Sequence, residues 1–146
     1  MKKIEKSISI NATKEKVWET LWSSSTYGDW TNAIDEGMYM KGSLEEGKEI
    51  QFISSINGYG VTSLVDKLIP NEYILFKHKT DTKGNGLEKR KDEWTGGTES
   101  YSLVEKNGVT HMIVKMDVPI EMEELFNEQL PKALERIKKL AGHNLL

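Results

Sequence analysis

The sequence predicts an α+β fold: a seven-stranded, curved antiparallel sheet wrapped around a long C-terminal helix, with two short helices after the first strand. Three observations predict it. The hydrophobic period is two over residues 4–10, helical over residues 13–34, and two again from residue 37 to residue 117. Turn-forming pairs, Asn57-Gly58, Pro70-Asn71 and Asn107-Gly108, punctuate that second alternating stretch. Residues 121–142 then carry apolar side chains at i, i+3, i+4 spacing, the stripe of an amphipathic helix.

Each element follows from its residues. Ile4, Lys6, Ile8 and Ile10 share one face of strand one, while Glu5, Ser7 and Ser9 share the other. Asn11 and Thr13 are N-cap residue types, and Val17, Trp18, Leu21 and Trp22 recur at helical spacing to about residue 23. After the polar stretch Ser23 to Thr26, Tyr27, Trp30, Ala33 and Ile34 are spaced for a second short helix. Six strands are expected near 37–43, 48–56, 60–68, 72–80, 98–106 and 109–117, joined as a meander. The Asn-Gly pairs suit type I′ turns, which need positive φ at both central residues. Residues 81–96 break the rhythm with glycines and charges and read as a long, mobile loop. Trp94 within it is either a lid anchor or, as the sequence favours, a ring packed under its own loop.

In the closing helix Glu121, Glu123, Glu124 and Glu128 crowd the start and Lys132, Arg136, Lys138 and Lys139 the end, the order the helix dipole favours. Pro131 is expected to bend or divide it, since proline lacks a backbone donor and clashes one turn back. Gly142 marks the stop.

Composition narrows the function. The 146 residues suit one domain, 1–146. Without cysteine there are no disulfides or thiolate metal sites, and the cytoplasm is the default compartment. No apolar run marks a signal peptide or a membrane span. With 20 basic and 23 acidic residues the net charge is −3, which argues against nucleic acid as a partner. Lys89-Arg90-Lys91, the one compact basic run, is flanked by Glu88, Asp92 and Glu93 and reads as a solvated loop tip. His78, His111 and His143 show no ligand spacing, so neither a metal nor another cofactor is expected. His111 is out of phase with Met112 and should face away from the core. Gly84-Asn85-Gly86 lacks the strand-helix context of a dinucleotide fingerprint.

An apolar sheet face needs a cover, and only the terminal helix is long enough to provide one. A twisted sheet coils around it, and a cavity is expected where the straight helix and the curved sheet diverge. Met112 and Met116 on the last strand, with Met122 at the helix start, offer deformable walls. Phe52, Tyr101, Phe126, Leu130 and Trp22 complete the expected ligand-binding set. All eight side chains also suit an irregular core, the reading their residue types favour, and the tryptophans suit the closed end of the fold. Glu99 and Tyr101 form the one pairing nominated for acid–base chemistry, although alternation allows both to lie on the outer face, with Glu99 in a cross-sheet salt bridge.

The order strand, two helices, six strands, long helix resembles the helix-grip fold of the SRPBCC or START-like superfamily. More narrowly, Ile10-Asn11-Ala12-Thr13-Lys14-Glu15-Lys16-Val17-Trp18-Glu19-Thr20-Leu21 resembles the branch of the heat-shock-protein ATPase activator homologues. The segments Trp94 to Leu103 and Leu130 to Ala141 are similar to that branch's later strand and closing helix. The resemblance implies a central cavity, used by many relatives for lipids, sterols, polyketides or plant aromatics. The expected function is binding of an apolar or amphipathic small molecule without catalysis. Two alternatives stand beside it: a protein-interaction module with a chaperone-like partner, and an aromatase- or cyclase-like enzyme. The sequence carries no signal for the oligomeric state.

Overall fold

The computed structural model describes residues 1–142. Strand β1 (Lys2–Ile10) leads into α1 (Lys14–Trp22) and α2 (Ser24–Thr31). The strands β2 (Met38–Lys41), β3 (Glu49–Ser54), β4 (Gly60–Ile69), β5 (Tyr73–Lys83), β6 (Glu88–Lys89), β7 (Thr98–Lys106) and β8 (Val109–Val118) follow. A single 3-10 turn, Ile120–Met122, starts the closing helix α3 (Glu123–Gly142). The sheet is antiparallel, in the order β1-β8-β7-β5-β4-β3-β2, with the two-residue β6 attached to β5. The predicted strands are all present; β6 is the addition.

Register places the predicted faces. Ile4 pairs with Met116 and Ile8 with Met112 across β1 and β8, so the apolar sets of both strands lie on one side. α3 buries Phe126, Leu130, Ala133, Leu134, Ile137 and Ala141 against this side, along β1 and α1. Thr13 caps α1, its Oγ1 accepting from the Lys16 N–H at 3.2 Å. His111 is exposed on the outer face, beside Ser9 at 3.3 Å. His143 lies outside the described residues. No helix among the described residues is long and apolar enough to cross a membrane.

Four local expectations are corrected. The second helix starts at Ser24, because Ser23 caps it and the polar stretch forms its first turn. At Asn57-Gly58 only the glycine has positive φ, +74°, so the turn is not type I′. A five-residue link replaces it, in which the Asn57 side chain accepts from the Tyr59 N–H at 2.9 Å. Asn107 and Gly108, at φ +54° and +78°, do make the expected type I′ pair. α3 runs unbroken through Pro131, which is exposed together with Asn127 one turn earlier. The carbonyl that loses its intrahelical partner therefore faces water, and the helix is not divided.

The fourth correction concerns residues 81–96. Strict alternation would put Asp81 in solvent with Lys77, Lys79 and Lys83. The β4–β5 register shifts at Thr62/Ser63, leaving Lys79 as an extra residue, and the phase changes beyond it. Asp81 is left with no exposed surface. Its Oδ1 accepts from the backbone N–H groups of Glu93 (3.0 Å), Trp94 (2.9 Å) and Thr95 (2.9 Å) and from Thr95 Oγ1 (2.7 Å). Arg90 Nη2 lies 3.4 Å from Oδ2. The segment is thus a hydrogen-bonded structure around one carboxylate rather than a loose loop. Arg90 is drawn into it, so the basic run is not simply a solvated tip.

Burial works to raise the Asp81 pKa, but the N–H groups of Glu93, Thr95 and Trp94 and the Thr95 hydroxyl outweigh it and hold the carboxyl below its ordinary value. With the folded pKa depressed, the stability Asp81 contributes is present above about pH 4 and lost as pH falls through the folded value. Replacing Asp81 by Ala leaves three part-buried backbone N–H groups without their acceptor and should cost roughly 1.5–3 kcal/mol in urea unfolding at pH 7. The exposed neighbour substitution Asp92→Ala should stay within about 0.5 kcal/mol. Equal costs for the two variants would contradict this account.

Candidate functional site

A cavity of about 450 Å³ lies between the inner face of the sheet, α2 and the first turns of α3. Phe52 of β3, Val61 of β4, His78 of β5, Glu99 and Tyr101 of β7 and Met116 of β8 form its sheet side. Tyr27, Trp30 and Thr31 of α2 close one flank, and Met122, Leu125 and Phe126 cover it. Tyr59 and Leu125, both largely exposed, mark where the wall meets solvent. Trp94 does not simply pack under its own loop. Its backbone N–H is held by Asp81, and its ring crosses to Phe126 of α3 and His78 of β5, at centroid distances of 5.4 and 6.1 Å.

Of the eight residues the sequence nominates, Phe52, Tyr101, Met116, Met122 and Phe126 reach the cavity wall. Trp22, Met112 and Leu130 do not. Met112 and Leu130 are buried in the core away from the cavity. Trp22 stands behind the wall, edge-on to Tyr101 (5.0 Å) and Phe76 (5.5 Å). Periodicity puts all eight on inner faces; the depth at which the helix leaves the sheet sorts them. Glu99 is a correction: it faces inward, because the burial of Tyr101 and Leu103 fixes the phase of β7. It makes a hydrogen bond with Tyr101 in place of an outer-face ion pair.

The polar groups in the wall converge. Tyr101 Oη donates to Glu99 Oε2 at 2.5 Å, leaving Oε1 at 3.7 Å from His78 Nε2. That separation is too long for a direct hydrogen bond, and Nε2 is buried without a partner. The other ring nitrogen, Nδ1, is 2.7 Å from Ser63 Oγ. Ser63 has no exposed surface, so it orients the ring rather than presenting a nucleophile. Burial pulls the His78 pKa below its ordinary value, against Glu99, Asp81 and Asp117, which work to raise it. Burial first, and then Glu99, hold the phenols of Tyr101 and Tyr27 well above theirs. At neutral pH the wall therefore holds a neutral imidazole and two intact phenols beside Glu99.

His78, Val61, Leu125 and the α2 residues are among the wall members that the sequence reading missed. The signal was present for His78, which continues the inner-face set Ile74 and Phe76 along β5 as a polar residue in an apolar register.

The sequence pattern described as Activator of Hsp90 ATPase homolog 1-like protein matches residues 11–142. The chain belongs to this family. The Activator of Hsp90 ATPase homolog 1-like fold accounts for the resemblance read from residues 10–21, and solved structures agree. Protein MLL2253 from Mesorhizobium loti is similar over 99% of this chain and 100% of its own, at 13% identity and a TM-score of 0.71. The Aha1 dimer from Colwellia psychrerythraea is 22% identical over 97% of each chain, with a TM-score of 0.68. DynU16, a putative protein in the dynemicin biosynthetic locus, is 12% identical over 94% of this chain and 46% of its own, with a TM-score of 0.65. At these identities the likeness is one of fold. No curated protein matches the sequence.

In this member of the Activator of Hsp90 ATPase homolog 1-like family, the His78 ring should titrate with a midpoint below the ordinary value of about 6.5. With the folded pKa depressed, its contribution to stability is complete above that ordinary value and lost as pH falls through the folded one. Ring-nitrogen NMR shifts against pH give the midpoint; one above the ordinary value would place the ring in contact with water or in a charged pair with Glu99.

Proposed function

We propose that the chain binds a small amphipathic molecule in the cavity between sheet and α3, in the cytoplasm and without a covalent step. One observation carries this reading: a space of about 450 Å³ whose largely aromatic and aliphatic wall brings Glu99, Tyr101 and His78 together at one place. Ligand sites take this form, since apolar area supplies affinity and a few convergent polar groups fix orientation. The burial of Ser63 supports binding over nucleophilic chemistry.

Filling the space tests the proposal. Val61→Phe adds a ring to the cavity wall at a cost of roughly 1–3 kcal/mol in stability. It should weaken any ligand found by native mass spectrometry or an NMR-monitored panel of hydrophobes by about tenfold or more, a loss of about 1.4 kcal/mol. Unchanged affinity in a folded variant would move the binding site elsewhere.

A second reading, a protein-docking module, is favoured by the exposed side chains of Ile56, Tyr59 and Leu87, 67%, 47% and 82% accessible. They sit on two adjoining tips, joined where Asn85 N–H donates to the Gly58 carbonyl at 3.0 Å. The dimer formed by the Aha1 relative from Colwellia psychrerythraea supports it too. Light scattering separates the readings. A docking surface predicts a mass that rises with concentration and is reset by Ile56→Ser with Leu87→Ser; the binder predicts a constant single-copy mass.

A further inference from the structure

Glu99 is an unusual residue for the wall of an apolar cavity. Its side chain is only 21% exposed, and no lysine or arginine lies within ion-pairing distance among the described residues. Buried carboxylates are ordinarily paired with a cation, because desolvating an unpaired charge is costly. Among the described residues its only hydrogen-bond and ion-pair neighbours are the Tyr101 hydroxyl on Oε2 and the His78 ring. The one cation in the cavity wall, Arg90, is already committed: its guanidinium bonds Glu93 Oε1 at 2.6 Å and the Thr82 carbonyl at 3.2 Å and approaches Asp81. Asp35, at the cavity edge, adds a further negative charge without a basic partner among the described residues. Acidic side chains therefore outnumber basic ones in the cavity wall, and among the described residues no cation sits on Glu99 Oε1, which Tyr101 holds in place.

A second observation points the same way. His78 Nε2, on a side chain only 3% exposed, has no hydrogen-bond partner and lies beside Oε1. When Nδ1 carries the ring hydrogen and donates it to Ser63 Oγ, Nε2 offers a lone pair. Two acceptors then stand 3.7 Å apart in the cavity wall, an arrangement completed by a group that supplies both N–H donors and positive charge. Aromatic rings surround the place, among them Tyr27, Trp94 and Phe126, and ring faces attract cations.

We infer that the ligand of this cavity is a protonated amine on an apolar frame, its ammonium group bonded to Glu99 Oε1 and, through a further N–H, to His78 Nε2. The inference rests on the binding reading above and adds the chemistry of the ligand's polar end. A carboxylate ligand is opposed by Glu99 and Asp35. A neutral alcohol supplies one donor and no charge. Nε2 has no open surface of its own, so the ammonium engages Glu99 first and reaches the ring as the carboxylate turns toward the cavity, a side-chain adjustment common on binding.

Matched probes on two frames test this. Naphthalen-2-ylmethylamine and 4-butylbenzylamine are compared with the corresponding alcohols, the corresponding carboxylates and the trimethylammonium analogues, by calorimetry or NMR titration at pH 7. The primary amines should bind about tenfold more tightly than the alcohols, with the carboxylates weakest. The trimethylammonium compounds, which keep the charge without N–H, should fall between amine and alcohol. In Glu99→Gln, which keeps an acceptor for Tyr101, the amine and alcohol affinities should converge to within about twofold. Should that variant not fold, the wild-type His78 ring-nitrogen shift must respond to the amines and not to the alcohols. Alcohols binding as tightly as amines would overturn the charge assignment while leaving the cavity reading intact. Trimethylammonium equal to the amine would overturn the N–H contact to His78. An amine preference that survives Glu99→Gln would remove Glu99 from the site. If no probe of either frame binds, the cavity reading falls and this inference with it.

Discussion

The fold turns on how far a straight helix can follow a curled sheet. Over its C-terminal half α3 presents Ala133 and Ala141 on either side of Leu134 and Ile137, all buried, and small side chains let the helix approach closely. The same half is tied to α2 by Arg136, whose Nε and Nη2 reach the two Asp29 oxygens at 2.6 and 2.9 Å. Toward its N-terminus the helix carries Met122, Leu125 and Phe126, and these are its side chains that border the cavity. Seating one end fixes the axis, the sheet curves away from the other, and the open volume is the geometric remainder. The placement of the candidate site follows from that mismatch.

The wall of that volume depends on a second constraint, the buried Asp81 carboxylate. A β-bulge at Lys79 turns it inward, and three successive backbone N–H groups close on it. The charge is tolerated because each desolvated lone pair finds a donor. The consequence reaches the site directly. Trp94 is held by its own N–H to Asp81 and projects its ring against Phe126 and His78, so a charged residue outside the cavity sets part of the wall within it.

Within the Activator of Hsp90 ATPase homolog 1-like family, the architecture is shared at low identity, so what distinguishes this member lies in its side chains. The Ser63, His78, Glu99 and Tyr101 chain has the members of a catalytic relay, but the hydroxyl that would attack is the most deeply buried of them. Ser63 orients His78 and Tyr101 orients Glu99, and the 3.7 Å between His78 Nε2 and Glu99 Oε1 leaves the two pairs without a direct hydrogen bond.

The sequence by itself determined the element order, the register of apolar faces and the closing helix. These are short-range properties: alternation in Ile4 to Ile10, the stripe from Phe126 to Ala141, and Asn107-Gly108 at a turn that needs positive φ. It also placed Phe52, Tyr101, Met116, Met122 and Phe126 on faces that meet the cavity. Periodicity reports which side of an element is buried and not how deeply, so Trp22, Met112 and Leu130 carried the same signal as true wall residues. Only the tertiary structure decided that difference. It alone also revealed the bulge that turns Asp81 inward and the meeting of His78 with Glu99 across β5 and β7, because both depend on register between strands distant in the chain.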